Sequence, residues 1–423
     1  MKSYDQGRAG DSELDNINDV VILRNLAKQV AEISSMEIMD ERRKLWADHN
    51  AFGKGRIPIY IRDGVWSREI IEPGLQCENE LLRQVELYLR KMVYQYEVGD
   101  DFVIENYIKI PAVLEMPGYG PWGVVPNVDE SPESGGCKKI HAALENIADL
   151  SPMKVPEHKV NEKETAYQYE MLSGIFGDII NVVVERSPHW IRWGGDISTH
   201  LGYLLGLDGL MWAIYDYPDE LHKLLEFMRD GVLKAHDEAE RAGDFTWLSH
   251  ENQSMPYIKG LPGPNAGPVT TDRSHLWTFY AAQEYALISP EHHKEFLLDY
   301  QIPIIEKFAY SSYGCCEDLT KKIDMLREIK NLRRIAVSPF ANTRSCAEQI
   351  GKDYIASWRP DPASTVCLGF DEGNIRKIIR NARKDFEQNN CLFDICLKDV
   401  QTVQNDYGRL IEFTRIVRDE IEK

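Results

Sequence analysis

From residue 309 onward the chain alternates short apolar or β-branched runs with amphipathic segments, and this rhythm limits the fold more than any other feature. It predicts strands at 309–313, 333–338, 353–358 and 392–398, and helices at 319–330, 343–351, 371–388 and 405–421. Each step takes roughly 20 to 40 residues, the spacing of βα units on a parallel sheet. Four such units make half of an eight-stranded barrel. Earlier strands are expected at 56–62, 101–110, 179–184 and 244–249, less evenly spaced and separated by long loops. Helices are expected within 14–48, over 78–96, from near Asp216 to Ala242, and from Pro290 after the N-cap Ser289. A doubly wound open sheet is the competitor, but no Gly-rich phosphate fingerprint follows any strand. The expected architecture is α/β: a single (β/α)8 TIM barrel over 14–423 with an N-terminal helical extension, after a disordered tail at 1–13.

Net charge narrows the partners. At −19 the chain lacks the basic surface that phosphate backbones require, so nucleic acid is not expected as a partner. No run of about 18 apolar residues predicts a membrane span. The first residues, MKSYDQGRAGDSELD, carry no apolar signal core, so the expected location is cytoplasmic. In that setting the eight cysteines are read as thiols or metal ligands, not as a disulfide framework.

The chemistry gathers at AYSSYGCCEDL, Ala309 to Leu319, where a strand hands over to a helix. In a β/α barrel this is the end of the strand where active sites sit. A thiolate there would gain from the positive end of the following helix. Strand alternation lets only one of Cys315 and Cys316 look into the barrel mouth. Cys396, in the last strand, is expected at the same face. Zinc wants about four ligands, one position being left open for catalysis. His250, Glu251 and Glu317 are the residues that would complete the set. The alternative is that these cysteines are small core residues.

Other groups stand near expected strand ends. Arg186, His189 and Arg192, with Asp196, follow one strand, and arginines so placed grip carboxylates or phosphates with two hydrogen bonds. Arg62, Asp63, Trp66 and Arg68 follow another. Lys398 and Asp399 end the last strand, placed either to reach the mouth or to pair with each other. The long loop EMPGYGPWGVVPNVDESPESGG carries Tyr119 and Trp122, which would cover a pocket or pack on the surface. No GxSxG elbow is present, so a serine hydrolase of the α/β-hydrolase plan is not expected.

The stretch YGCCEDLTKKIDMLREIKNLRRIAVSPFANTRSCAEQIGKDYIASWRPDPAS resembles the uroporphyrinogen decarboxylase superfamily. There a strand ending in a His-x-Cys-Gly type segment is followed by a helix, a strand and a Pro-x-Pro-Ala kind of loop, here Arg359-Pro360-Asp361-Pro362-Ala363. The similarity extends more weakly over roughly 40–423 and implies a single (β/α)8 barrel. One branch of that superfamily decarboxylates porphyrinogens without a cofactor. Its Arg-Gln-Ala-Gly-Arg-Tyr segment is absent here, where Ile61-Arg62-Asp63-Gly64-Val65-Trp66 stands instead. The chain is closest in character to the other branch, the corrinoid-dependent (cobamide) methyltransferases. These move a methyl group between a corrinoid protein and a thiol or folate-type acceptor, and the thiol-methylating members hold zinc with one His and two Cys. On that pattern Cys315 matches the first Cys, Cys396 is the plausible second, and the His position falls on Tyr313, a poor zinc ligand.

What the resemblance implies is a zinc-assisted methyltransferase working with a partner corrinoid protein. Its metal would be held among Cys315, Cys316, Cys396 and His250. Glu317, Arg192 and Asp399 would act in catalysis. Arg62, Trp66, Arg186, His189 and Tyr313 would bind substrate. A cofactor-independent decarboxylase of a porphyrinogen-like polycarboxylate and a non-catalytic tetrapyrrole-binding barrel are the alternatives.

Overall fold

The computed structural model describes residues 17–62, 64, 66–116, 122–129, 139–189 and 196–422. The expected tail at 1–13, Asp63, Tyr119, Cys137 and Arg192 lie outside the described residues.

Among the described residues there are ten strands: β1 Ile59–Ile61, β2 Tyr107–Pro111, β3 Val128–Asp129, β4 Lys139–Ile140, β5 Asn181–Glu185, β6 Trp277–Tyr280, β7 Tyr310–Tyr313, β8 Leu332–Val337, β9 Ile355–Trp358 and β10 Leu392–Leu397. Six of them make one curled parallel sheet in the order β1-β10-β9-β8-β7-β6. The strand nearest the N-terminus thus pairs with the last one, as in the wall of a half-barrel. β2 and β5 pair in parallel as a sheet of their own, and β3–β4 is a small antiparallel ribbon. The expected strand at 244–249 is replaced by turns and one isolated bridge, Thr246 to Thr270. β6 takes a place in the sheet that the loop-like composition before it concealed.

Helices cover the sheet because their apolar faces have nowhere else to go. The helices Thr343–Ile350, Glu372–Gln388 and Arg409–Ile421 follow β8, β9 and β10 and bury Cys346, Ile350, Ile375, Ile379, Phe413 and Val417 against it. Their starts are fixed locally. The side chains of Asn342 and Asp371 accept from Ser345 N at 2.9 Å and Asn374 N at 3.0 Å, which satisfies amides that have no helical partner. The helix expected at 319–330 shrinks to the single turn Ile323–Leu326. A second core joins the helices Ile17–Ser34, Glu37–Asn50, Glu80–Val98 and Glu162–Phe176 with β2 and β5. No described helix is long and apolar enough to cross a membrane.

The concave side of the six-stranded sheet is polar. Parallel register places Tyr60 beside Cys396, and Asp394 and Ala336 beside Ser357, so these side chains share one face. Near the strand starts this face holds a buried ion pair, Arg334 to Asp394 at 2.5 Å. Ser357 donates to Asp394 at 3.1 Å, Arg334 donates to Asn50 Oδ1 at 2.7 Å, and His49 Nε2 lies 3.1 Å from Asp394. Burial pushes the His49 imidazole down, so it meets the carboxylate as a neutral donor. Burial works against the Asp394 charge too, but Arg334 and His49 outweigh it and hold that carboxyl below its usual range. Removing one member of such a pair strands the other. Asp394→Ala is therefore expected to cost about 3–5 kcal/mol in urea unfolding; a loss below about 1 kcal/mol, the value of an exposed pair, would mean that water reaches the guanidinium.

Candidate active site

The strand ends of the concave face carry the chemistry, and Gly314 arranges it. Its φ is +100°, a conformation other residues rarely adopt. A Cβ there would lie 2.6 Å from Leu319 Cδ1 and 2.9 Å from Ala336 Cβ. The turn at Gly314 breaks strand alternation. Tyr313 points to the helix layer, where its hydroxyl donates to Gln301 Oε1 at 2.8 Å and lies 2.9 Å from His293 Nε2. Cys315 and Cys316, by contrast, both come to the concave side with Phe279 and Ala281. Their sulfurs are 3.6 Å apart. The alternation rule, which let only one of them face the mouth, fails because the strand has already ended.

The Cys315 backbone is clamped. Its N–H and that of Ala282 donate to the two oxygens of Glu317, each at 2.8 Å. Arg359 donates to the carbonyl of Cys315 in a short contact and to that of Gly314 at 3.2 Å. Glu317 is buried and touches main-chain amides, which makes it a positioning residue. Burial pushes its carboxyl up in spite of those bonds.

The sulfurs meet a cation. Lys398 Nζ lies 3.3 Å from Cys315 Sγ, 3.0 Å from Cys316 Sγ and 2.5 Å from Asp399 Oδ2. Gln253 Nε2 donates to Cys315 Sγ at 3.2 Å, and Cys316 Sγ donates to Asp399 at 3.3 Å. The Cys315 thiol is pulled well below the ordinary range, first by its hydrogen bond from Cys316 and then, against burial, by Arg359, Lys398 and Gln253. The same hydrogen bond, with burial, pushes Cys316 up, so the pair holds one thiolate and one thiol. Burial and Arg359 work against the Lys398 charge, but Cys315, Asp399 and Cys316 outweigh them and hold its ammonium up. Asp399 sits at φ +57°, a left-handed conformation that Asp tolerates better than most residues. Arg62 is nearby: Tyr60, Cys396, Glu251 and Cys315 surround its guanidinium with negative potential and overcome the effect of burial.

The other expected residues lie elsewhere. Cys396 is fully buried and its thiol donates to the carbonyl of Gln253 at 3.6 Å, the residue whose side-chain amide donates to Cys315. His250 has both ring nitrogens engaged, Nδ1 with Trp277 N at 3.1 Å and Nε2 with Pro262 O at 3.3 Å. Trp66 is buried against Tyr94 and donates to the Arg62 carbonyl, so it holds the segment after β1 in place. Arg186 pairs with Glu162 at 2.5 Å and with Asp244, and His189 lies against His200. The residues that reading by pattern missed are Gln253, which no local signal marks, and Arg359, which stands one residue past an expected strand end.

Whether these residues suit zinc depends on the donors. Two thiolates on one zinc, each at about 2.3 Å, stand about 3.8 Å apart, close to the spacing of Cys315 and Cys316. A further oxygen donor beside them, that of Asp399, is held by Lys398; among the described residues no three His, Cys, Asp or Glu side chains gather as a metal site, and the ammonium of Lys398 stands at both sulfurs. The arrangement does not fit the expected three-ligand zinc. Comparison with protein-family models gives no match, and no curated protein matches the chain.

Two outcomes are expected. Alkylation of Cys315 should be nearly as fast at about pH 6.5 as at pH 8.5, whereas an ordinary thiol would slow by about fiftyfold; peptide mapping after iodoacetamide measures this, and Lys398→Met should raise the pH below which the alkylation slows. In zinc titrations followed by equilibrium dialysis, Lys398→Ala should bind at least about tenfold more tightly than the natural chain, because a competing charge has gone. Equal affinities would place the ammonium away from the sulfurs.

Proposed function

We propose that this chain is a methyltransferase moving a methyl group between a partner corrinoid protein and a thiol or folate-type acceptor. The observation that carries the reading is the cation-held thiolate at the strand ends of a parallel, curled sheet. A pocket that keeps Cys315 ionised applies the same field to a second sulfur placed beside Lys398. An acceptor thiol bound there loses its proton more easily, and the thiolate is the nucleophile. A corrinoid carried by the partner would supply the electrophilic methyl, and the acceptor thiolate held beside Lys398 would be the nucleophile that takes it. Lys398 thus supplies the positive charge that zinc would otherwise give, Arg359 and Glu317 hold the Cys315 backbone rigid, and Asp399 fixes the ammonium.

The finer fold belongs to the same proposal: the six-stranded sheet and the β2–β5 pair together make the eight strands of a (β/α)8 wall. Both are parallel. The β1 edge meets the segment before β2 through Asp101 N to Ile59 O at 2.8 Å, and the β6 edge meets the segment at Glu251, outside β5, through Glu251 N to Trp277 O at 3.1 Å.

One observation favours a second reading. Arg62, Arg359 and Lys398 lie at the same strand ends, a setting that also suits a polycarboxylate substrate and its decarboxylation.

The test is methyl transfer from methylcobalamin to small thiols and to tetrahydrofolate, followed by the loss of the alkyl-cobalt absorbance and by product mass. Turnover is expected, reduced by at least about a hundredfold in Lys398→Met and Cys315→Ser and unchanged in Arg380→Gln, on the outer helix layer. A folded protein that transfers no methyl group to either acceptor would overturn the reading. Release of carbon dioxide from a porphyrinogen, persisting in Cys315→Ser, would establish the second.

A further inference from the structure

We infer that Cys315 and Cys316 form a site of reversible oxidation, where a hydroperoxide converts the two thiols into a disulfide between neighbouring residues. The sulfurs stand 3.6 Å apart on the same side of the chain. Closing that gap to the roughly 2.05 Å of a disulfide needs a movement of about 1.5 Å, within reach of side-chain rotation and small peptide adjustment. Lys398 Nζ and the Gln253 amide both face Cys315 Sγ, an environment that keeps a thiolate. Cys316 keeps its proton, which lies between two acceptors, Cys315 Sγ at 3.6 Å and Asp399 Oδ2 at 3.3 Å. Cys316 is half-buried, so the site is open on its side, while Cys315 lies just beneath. One ionised sulfur to attack and one thiol to resolve is the arrangement of a redox-sensitive pair.

The Cys315 thiolate attacks the terminal oxygen of the hydroperoxide, the O–O bond breaks, and the alkoxide leaves and takes a proton from water. Cys315 is now a sulfenic acid. The sulfur of Cys316 attacks the sulfenic sulfur, and hydroxide leaves with the Cys316 proton as water. Two thiols and one hydroperoxide give one disulfide, one alcohol and one water.

The bond so formed is labile. Adjacent Cα atoms are about 3.8 Å apart, below the 4.4–6.8 Å at which disulfides usually sit, so ring closure stores strain and makes the bond easy to reduce. A dithiol reductant therefore reverses it. In the oxidised form Lys398 loses its thiolate partner and keeps only Asp399. The remaining described cysteines are poor competitors. Cys77, Cys346, Cys367, Cys391 and Cys396 are buried, and burial raises the thiol pKa of Cys77, Cys346, Cys391 and Cys396.

The experiment is peptide mapping by mass spectrometry on the full, pre-reduced chain after treatment with a few equivalents of hydrogen peroxide. The peptide holding Cys315 and Cys316 should lose two hydrogens and regain them with dithiothreitol, while the buried cysteines stay alkylatable. Cys316→Ser should stop at a sulfenic acid on Cys315 that dimedone captures. Lys398→Met should raise by about one unit the pH below which the oxidation slows, the effect of losing roughly 1.4 kcal/mol of thiolate stabilisation. If both thiols remain alkylatable in the natural chain, or if the new disulfide joins either of them to Cys137, the inference is overturned. Should the variants fail to fold, the map of the natural chain decides alone. The readout is mass, so a protein that fails to transfer methyl groups still passes or fails this test on its own.

Discussion

A guanidinium cannot sit dry in a protein without a counter-charge, and Arg334 imposes that condition on everything around it. Asp394 answers from β10, Ser357 steadies Asp394 from β9, and His49 and Asn50 reach in from the helix Glu37–Asn50. The group therefore fixes the relative register of three strands and seats a helix against their concave side. Asn50 then passes the constraint on. Its amide donates to the carbonyls of Met255 at 2.9 Å and Tyr257 at 2.8 Å, which pins the loop that carries Gln253. Gln253 in turn donates to Cys315 and accepts from Cys396. A charge pair near the strand starts thus helps determine where an amide stands at the strand ends.

At those strand ends the balance of charge is close. A thiolate and an ammonium 3.3 Å apart attract by about 5 kcal/mol at an effective dielectric of 20. Taking a charge out of water costs several kcal/mol per ion. One cation alone would leave the thiolate near break-even. The Cys316 hydrogen bond, the field of Arg359 and the Gln253 amide tip it toward the ion. This is why the cluster is a unit: each member is modest, and the ionised sulfur depends on their sum.

Much of this was legible in the sequence, and the failures have physical causes. The strands β7 to β10 were legible because four apolar or β-branched runs recur every roughly 20 to 40 residues, and Cys315 because it follows one of them. The helix at 319–330 was over-read: its composition is helical, but Lys322 is buried and spends its ammonium on the Tyr285 carbonyl at 2.5 Å. A strand is expected at 244–249, yet Ser249 Oγ accepts from Thr246 N and turns the chain instead. β6 was hidden because its neighbours are Gly- and Pro-rich loops. Periodicity says which face a side chain takes only while the strand lasts, so the turn at Gly314 could not be inferred from it. Nor could Gln253 be found, because its role comes from contacts with residues far away along the chain.

The turn at Gly314 also separates two kinds of selection on adjacent positions. Tyr313 answers to the helix layer, through Gln301 and His293, while Cys315 answers to the concave pocket. A histidine put in place of Tyr313 would inherit the outward direction and a hydrogen-bonded, water-poor slot behind the sheet. It would not face the sulfurs. Bringing a metal ligand from that position to the sulfurs is therefore not a single exchange of side chain. It requires the backbone at Gly314 to be reset as well, and Leu319 and Ala336 leave no room for a bulkier residue to do it in small steps.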